Sequence, residues 1–416
     1  MANWRSFFNK FSGKVDVRLA ALVTRLRKRL GADPIQILPY HSYGTAETFY
    51  LRGRVLEDKG VRPAEDTDTI WRNLRAMYRR FESDEVSDAL VQAQFQDTTI
   101  ETRSDEEGYF HIEFPLMAPI LPSNEHTVWH EVGLTLLEGA HAYQDTVTAT
   151  AHVMVPHPES DFGIISDIDD TVLQTHATDL LKMAKVTFLN NARTRMPFAG
   201  VAAFYQALLE GPNGTSHNPL FYVSSSPWNL YDFLIDFMEL QKIPVGPLFL
   251  RDFGIRANLG GGSSHLGHKL AQIERILTTY PNLPFVLIGD SGEKDPEIYR
   301  EAVRHFPGRI AAIYIRDVSL DKQDDEVDRT IEQVGEHDRE HGRDNGRDNG
   351  REHDSDNDRE HDSDNDSDND SGDNTVAMVF VADTVAAAEH AVEQGLIAAN
   401  TLAAIRDNKQ ADQRAT

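Results

Sequence analysis

Phe162-Gly163-Ile164-Ile165-Ser166-Asp167-Ile168-Asp169-Asp170-Thr171-Val172 is the stretch on which the fold turns. Its start, 162–165, is a short apolar run without alternation, which reads as a buried strand. A strand apolar on both faces belongs to a parallel sheet covered by helices on either side. The run then ends in three carboxylates, Asp167, Asp169 and Asp170. In open α/β sheets, ligands sit beyond the carboxyl ends of the strands. Carboxylates crowded there repel one another, and a bound divalent cation relieves the repulsion.

Working outward, the same pattern recurs. The apolar run 220–223 leads into Ser224-Ser225-Ser226-Pro227-Trp228. The run 285–288 leads into Gly289-Asp290-Ser291-Gly292-Glu293-Lys294-Asp295. Further apolar runs fall at 310–315 and 378–381, and helical periodicity covers 200–209, 230–240, 268–280, 296–305 and 386–404. Strands alternating with helices predict an α/β fold with a parallel sheet. Lys269, in His265-Leu266-Gly267-His268-Lys269, stands near the start of a helix between the second and third of these strands.

Asp-x-Asp-x-Thr after one strand, Ser after a second, a helical Lys, and Gly-Asp-x-x-x-x-Asp after a third resemble the haloacid dehalogenase (HAD) phosphohydrolase superfamily. Asp-Ile-Asp-Asp-Thr, Ser-x-Ser-Pro-Trp, Gly-His-Lys-Leu and Ile-Gly-Asp-Ser-Gly-x-x-Asp-Pro-Glu-Ile-Tyr look more narrowly like the actin-patch phosphatidate phosphatase family, over about 160–317. The resemblance implies a HAD-like Rossmannoid sheet and an Mg²⁺-dependent phosphomonoesterase. It casts Asp167 as nucleophile, Asp169 as general acid and base, and Lys269 as the neutraliser of phosphoryl charge. Thr171, Ser224 and Ser225 would hold phosphoryl oxygens. Asp167, the Asp169 carbonyl and Asp290 would ligate Mg²⁺, with Asp295 completing the acidic set. The substrate implied is phosphatidate, converted to diacylglycerol and phosphate.

Structural roles compete for several of these residues. Ser224 and Asp295 each stand where a helix N-cap is useful, before Pro227 and Pro296. Lys269 could be a surface lysine, Asp170 could serve structure alone, and His265 and His268 read as polar support rather than ligands. Arg251 and Arg256 could meet a substrate head group or only solvent. The Gly260–Ser264 run follows no strand and lacks the Walker lysine, which argues against a nucleotide P-loop.

The rest of the 416 residues divides by composition. Residues 35–157 read as short strands at 48–55, 89–95, 98–102, 109–114, 127–136 and 146–155, with one helix at 70–81. This predicts a sandwich-like accessory domain. Residues 1–34 carry a basic amphipathic helix, 14–30, suited to packing on the body or lying on anionic lipid. Residues 321–374 have a net charge of −15 in Gly-Arg-Asp-Asn and Asp-Ser-Asp-Asn repeats, which cannot bury apolar surface and read as a disordered insertion. The catalytic domain is then expected at 158–320 plus 375–408, its last strand joining the same sheet.

With no cysteine, disulfides and thiolate metal sites are excluded. A formal charge of −26 argues against general nucleic-acid binding. No signal peptide and no apolar run of about 18 residues is found, so a cytoplasmic, peripherally membrane-associated protein is expected. Only about 172–198 remains to form a lid, and an open site suits a bulky interfacial substrate. Trp228, Leu230 and Tyr231 could meet the membrane or the core. Two other readings stay open: a HAD phosphatase for a soluble phosphomonoester or phosphoprotein, and a non-enzymatic scaffold whose β domain binds a protein partner.

Overall fold

The structure is a computed structural model that describes residues 34–57, 85–120, 129–139, 146–168, 199–251, 265–317 and 378–415. The helices expected at 14–30 and 70–81, the flap at 172–198 and the acidic insertion at 321–374 lie outside these residues.

Among the described residues, the N-terminal region holds eight strands: β1 (Ile35–Pro39), β2 (Ser42–Gly44), β3 (Thr48–Glu57), β4 (Leu90–Phe95), β5 (Thr98–Arg103), β6 (Tyr109–Pro115), β7 (Trp129–Glu138) and β8 (Thr148–Met154). They alternate as half-buried strands do. In β6, Phe110, Ile112 and Phe114 are buried while His111 and Glu113 face solvent. The strands form one sheet in the order β1-β3-β2-β8-β7-β4-β5, with β6 also on β3. Neighbours are antiparallel except β2 and β8. Three strands separate β3 from β4 along this path, about 19 Å in a flat sheet. Yet the rings of Phe49 on β3 and Phe95 on β4 are 4.9 Å apart. The sheet therefore folds over on itself around one apolar core, so the sandwich-like packing is made from a single hydrogen-bonded sheet.

The second unit runs β9 (Gly163–Ser166), α1 (Val201–Glu210), β10 (Leu220–Pro227), a 3-10 turn (Trp228–Leu230), α2 (Tyr231–Leu240), β11 (Leu248–Arg251), α3 (His265–Thr279), β12 (Phe285–Asp290), α4 (Asp295–His305), β13 (Ile310–Arg316), β14 (Met378–Val381), α5 (Thr384–Glu393) and α6 (Thr401–Ala415). The six strands among its described residues are all parallel, in the order β11-β10-β9-β12-β13-β14. The chain builds outward from β9 through β10 to β11, then crosses to β12 on the other side. This reversal opens a crevice at the carboxyl ends of β9 and β12.

Helices cover both faces, which is why β12 is buried at every position. Ile164, Val286 and Tyr314 share a core with Phe204 of α1, Met238 of α2 and Ala388 of α5. Ile165, Leu287 and Ile313 share another with Ile276 of α3 and Ile298 of α4. β14 lies beside β13, in parallel, although 61 residues separate them in the chain (317–377).

Two sequence expectations need correction here. The single helix expected at 386–404 is two helices, because Gly395 turns the chain with a left-handed φ of 68°. Asp295 is not a cap: Lys294 holds the N-cap position, and Asp295 opens α4 as its first residue.

Candidate active site

The crevice is built from residues at strand and helix ends. Asp167 directly follows β9, and its backbone N–H donates to the Ile288 carbonyl of β12 at 2.9 Å. Asp290 is the last residue of β12. Its Oδ1 accepts the backbone N–H groups of Gly292 (2.6 Å) and Glu293 (2.9 Å), which fixes its rotamer. Asp295 sits at the start of α4, and its Oδ2 accepts the Asp290 N–H at 3.3 Å. Gly289 permits that approach: a Cβ there would stand 2.8 Å from the Asp295 Cβ. Behind Asp167, the Ser166 hydroxyl donates to the Asp167 carbonyl at 2.7 Å and lies 2.6 Å from the Tyr205 hydroxyl of α1.

Lys269 reaches in from α3. Its Nζ lies 2.9 Å from Asp167 Oδ1, 2.9 Å from Asp295 Oδ1 and 2.7 Å from Glu293 Oε2. Asp167, Lys269, Asp290 and Asp295 are all 2 % exposed or less. Burial works against the Lys269 charge, but Asp167, Asp295 and Glu293 outweigh it and hold the ammonium well above its usual range. Burial raises Asp295 in spite of Lys269. Burial and then the Asp295 charge push Asp290 up to about 7.

Among the described residues, four carboxylates thus face one ammonium. Oxygens of Asp167, Asp290 and Asp295 lie within 4.8 Å of one another. The buried Asp290 Oδ2 has no hydrogen-bond partner among the described residues. A hard divalent cation taking these oxygens would supply the missing positive charge and the missing partner together, and an all-carboxylate set suits Mg²⁺ or Ca²⁺.

The other sequence candidates are placed as follows. Ser224 is fully buried at the carboxyl end of β10, inside the strand rather than after it. Tyr222 pairs with Ser166, so Ser224 lies at the same sheet edge as Asp167. It caps no helix: its Oγ accepts the Ser226 N–H at 2.9 Å within a register shift between Val223 and Pro227. Ser225 is half-buried in the same irregularity. Asp169, Asp170, Thr171 and Arg256 lie outside the described residues, as does the side chain of His265. His268 is half-buried one residue before Lys269, and Arg251 ends β11.

Of the two readings open for Trp228, Leu230 and Tyr231, membrane or core, the structure shows core: each is 5 % exposed or less. Tyr40 stacks on Trp228 at 4.6 Å and meets Tyr231 at 4.3 Å. Sequence reasoning missed two residues. Glu293 was given no role, although its position between Asp290 and Asp295 is a signal. Ser166 was given none either.

The comparisons agree with this geography. Residues 162–317 match the family model described as phosphatidate phosphatase APP1, catalytic domain. The chain is 33% identical over 183 residues to phosphatidate phosphatase APP1 of Saccharomyces cerevisiae, covering 44% of this chain and 30% of that protein. It is 34% identical over 162 residues to an uncharacterized protein of Schizosaccharomyces pombe, covering 38% of this chain and 26% of the other. The chain thus spans under a third of the length of these curated relatives. Among solved structures, a carbohydrate acetylesterase from Xanthomonas citri aligns with 66% of this chain and 66% of its own at 12% identity, with a TM-score of 0.23 that carries no argument. Residues 162–317, which hold every described residue of the crevice, are thus the part of the chain that resembles the APP1 phosphatidate phosphatase catalytic domain.

Proposed function

We propose that the chain is a Mg²⁺-dependent phosphatase of the HAD type that converts phosphatidate to diacylglycerol and phosphate through an aspartyl-phosphate on Asp167. The carrying observation is the convergence of Asp167, Asp290, Asp295 and Lys269 at the crevice of a parallel sheet whose order reverses there. The match of residues 162–317 to a phosphatidate phosphatase catalytic-domain model supports the reaction class, and the yeast relative's name supplies the substrate.

Mg²⁺ would be held by Asp167, Asp290 and Asp295 with the Asp169 carbonyl, and would offset charge on the phosphoryl oxygens. An Asp167 carboxylate oxygen attacks phosphorus, and the bond from phosphorus to the glycerol oxygen breaks. Asp169 gives its proton to the departing alkoxide. Asp169 then takes a proton from water, whose oxygen attacks phosphorus and frees Asp167 and orthophosphate. Lys269 holds Asp167 for attack and balances charge on the transferring group, while Thr171, Ser224 and Ser225 donate to its oxygens. In this reading, residues 158–320 plus 375–408 form the catalytic domain and 35–157 an accessory domain. The basic segment 1–34 brings the chain to anionic membrane.

The test is phosphate release, in Mg²⁺ and in EDTA, from phosphatidate, lysophosphatidate, sugar phosphates and phosphopeptides. Mg²⁺-dependent hydrolysis of phosphatidate is expected. Asp167→Asn, with an unchanged far-ultraviolet circular dichroism spectrum, should lower it by about 10³-fold or more. Preference for a soluble ester would overturn the lipid assignment, and full activity in Asp167→Asn would overturn the mechanism.

A further inference from the structure

We infer that Glu293 is a resident stand-in for a phosphoryl oxygen on Lys269, displaced when phosphate enters, and that it thereby sets the affinity of the site for phosphate. The inference deepens the phosphatase reading and rests on it.

An ammonium has three protons to donate. Among the described residues, Lys269 Nζ meets three carboxylate oxygens, from Glu293, Asp167 and Asp295, at 2.7, 2.9 and 2.9 Å. Two of those protons are donated, to Glu293 Oε2 and Asp295 Oδ1, while Asp167 Oδ1 sits against the ammonium as an ion pair. A phosphoryl oxygen entering this crowded shell takes its place where a carboxylate can withdraw. Asp167 and Asp295 cannot do so readily, because their side chains are 1 % and 0 % exposed and sheet and helix ends fix them. The Glu293 side chain is 36 % exposed, so its carboxylate can swing into water without desolvation cost.

Its backbone need not follow. The Glu293 N–H stays on Asp290 Oδ1 at 2.9 Å, so the exchange moves only a side chain. A carboxylate and a phosphoryl oxygen are alike as charge-assisted acceptors, and the swap keeps the Lys269 hydrogen bond. Departure of Glu293 also removes one of four negative charges from the place where a dianion arrives. The empty site keeps Lys269 oriented, and the occupied site gains a direct lysine–phosphate contact. Bound phosphate therefore competes with an internal carboxylate.

This makes an unusual demand: removing a charged residue beside the site should tighten phosphate binding. The test uses the full chain in saturating Mg²⁺, with inorganic phosphate as probe. Its dissociation constant is read by calorimetry, and its inhibition constant against phosphatidate hydrolysis in mixed micelles by kinetics. Glu293→Ala is expected to bind phosphate several-fold more tightly, with Glu293→Gln between it and wild type, and KM for phosphatidate should fall in the same order. Glu301→Gln, which removes the same charge from the α4 surface, should leave both constants unchanged.

Unchanged or weaker phosphate binding in folded Glu293→Ala and Glu293→Gln would overturn the inference, since Glu293 would then only orient Lys269. An equal tightening in Glu301→Gln would overturn it too, because any lost charge would suffice. Hydrolysis by wild type with no tightening defeats the stand-in alone. Tightening without hydrolysis by wild type defeats the phosphatase reading alone.

Discussion

Burial and the Asp295 charge push Asp290 up to about 7, so in the absence of cation the folded protein holds a proton there that the unfolded chain has lost. The sign follows from linkage. A carboxyl raised on folding contributes stability that is fully present below its unfolded value near 4 and is lost as pH rises through about 7. In EDTA, the melting temperature of wild type is therefore expected to fall relative to that of Asp290→Asn as pH rises from 4 to 7. With Mg²⁺ the order should reverse, because only the ionised carboxylate takes the ion. Thermal melts of both proteins across that window check this, and parallel curves in EDTA would contradict it. Asp167, Lys269, Asp290 and Asp295 were legible as a group because each sits just past an apolar run or at a helix start. Glu293 was not, because a carboxylate in Ser-Gly-Glu-Lys carries the signature of a solvated turn, and only the third dimension shows Lys269 beside it.

Among elements, β10 and the 3-10 turn after it carry the most unusual burden. The register of β10 slips between Val223 and Pro227, the stretch that holds Ser224, and a bulge of this kind re-aims side chains at a site. The far end of the bulge is clamped by the N-terminal sheet. Tyr40 stacks on Trp228, and the Arg52 guanidinium lies 4.0 Å over the same ring. Arg54 donates to Asn229 at 3.3 Å, and the His41 N–H donates to the Tyr231 hydroxyl at 2.6 Å. Tyr40 is 2 % exposed, so Tyr40→Ala should cost about 3 kcal/mol of stability while Tyr40→Phe, which keeps the ring, should cost little. Urea unfolding measures both, and equal losses would show that the stacked ring is not what matters. Strands of four or more unbroken apolar residues could be read from sequence with small errors at their ends. β1, β2 and β11 were not read: β1 is Ile-Gln-Ile-Leu-Pro, β2 is three residues long and β11 is Leu-Phe-Leu-Arg, all too short for a period to show. Gly395, inside an otherwise helical stretch, was the one visible sign that α5 and α6 are separate.

At the scale of the molecule, the two units share an aromatic surface crossed by a few hydrogen bonds. Besides the clamp on Trp228, Tyr43 lies 5.2 Å from Phe249, and the Tyr280 hydroxyl donates to the Gly44 carbonyl at 3.0 Å. Tyr43 and Met154 belong to the same apolar core as Phe221 and Ile273. None of this could be read from either half of the sequence alone, because each partner looks like ordinary core, and only a neighbour distant in sequence tells which core. A chain beginning at residue 158 would strip the cover from Trp228, Tyr231, Phe249 and Tyr280 at once, leaving a contiguous apolar patch of the kind soluble domains rarely expose. Residues 158–416 expressed alone are therefore expected to aggregate or to bind a hydrophobic dye that the full chain does not bind. Supplying residues 34–157 in trans should restore a monodisperse complex. Size-exclusion chromatography with light scattering reads the outcome. A monomeric 158–416 fragment that melts at the temperature of the full chain would mean that the aromatic seam stabilises neither half, and that β1–β8 are a passive appendage to the crevice.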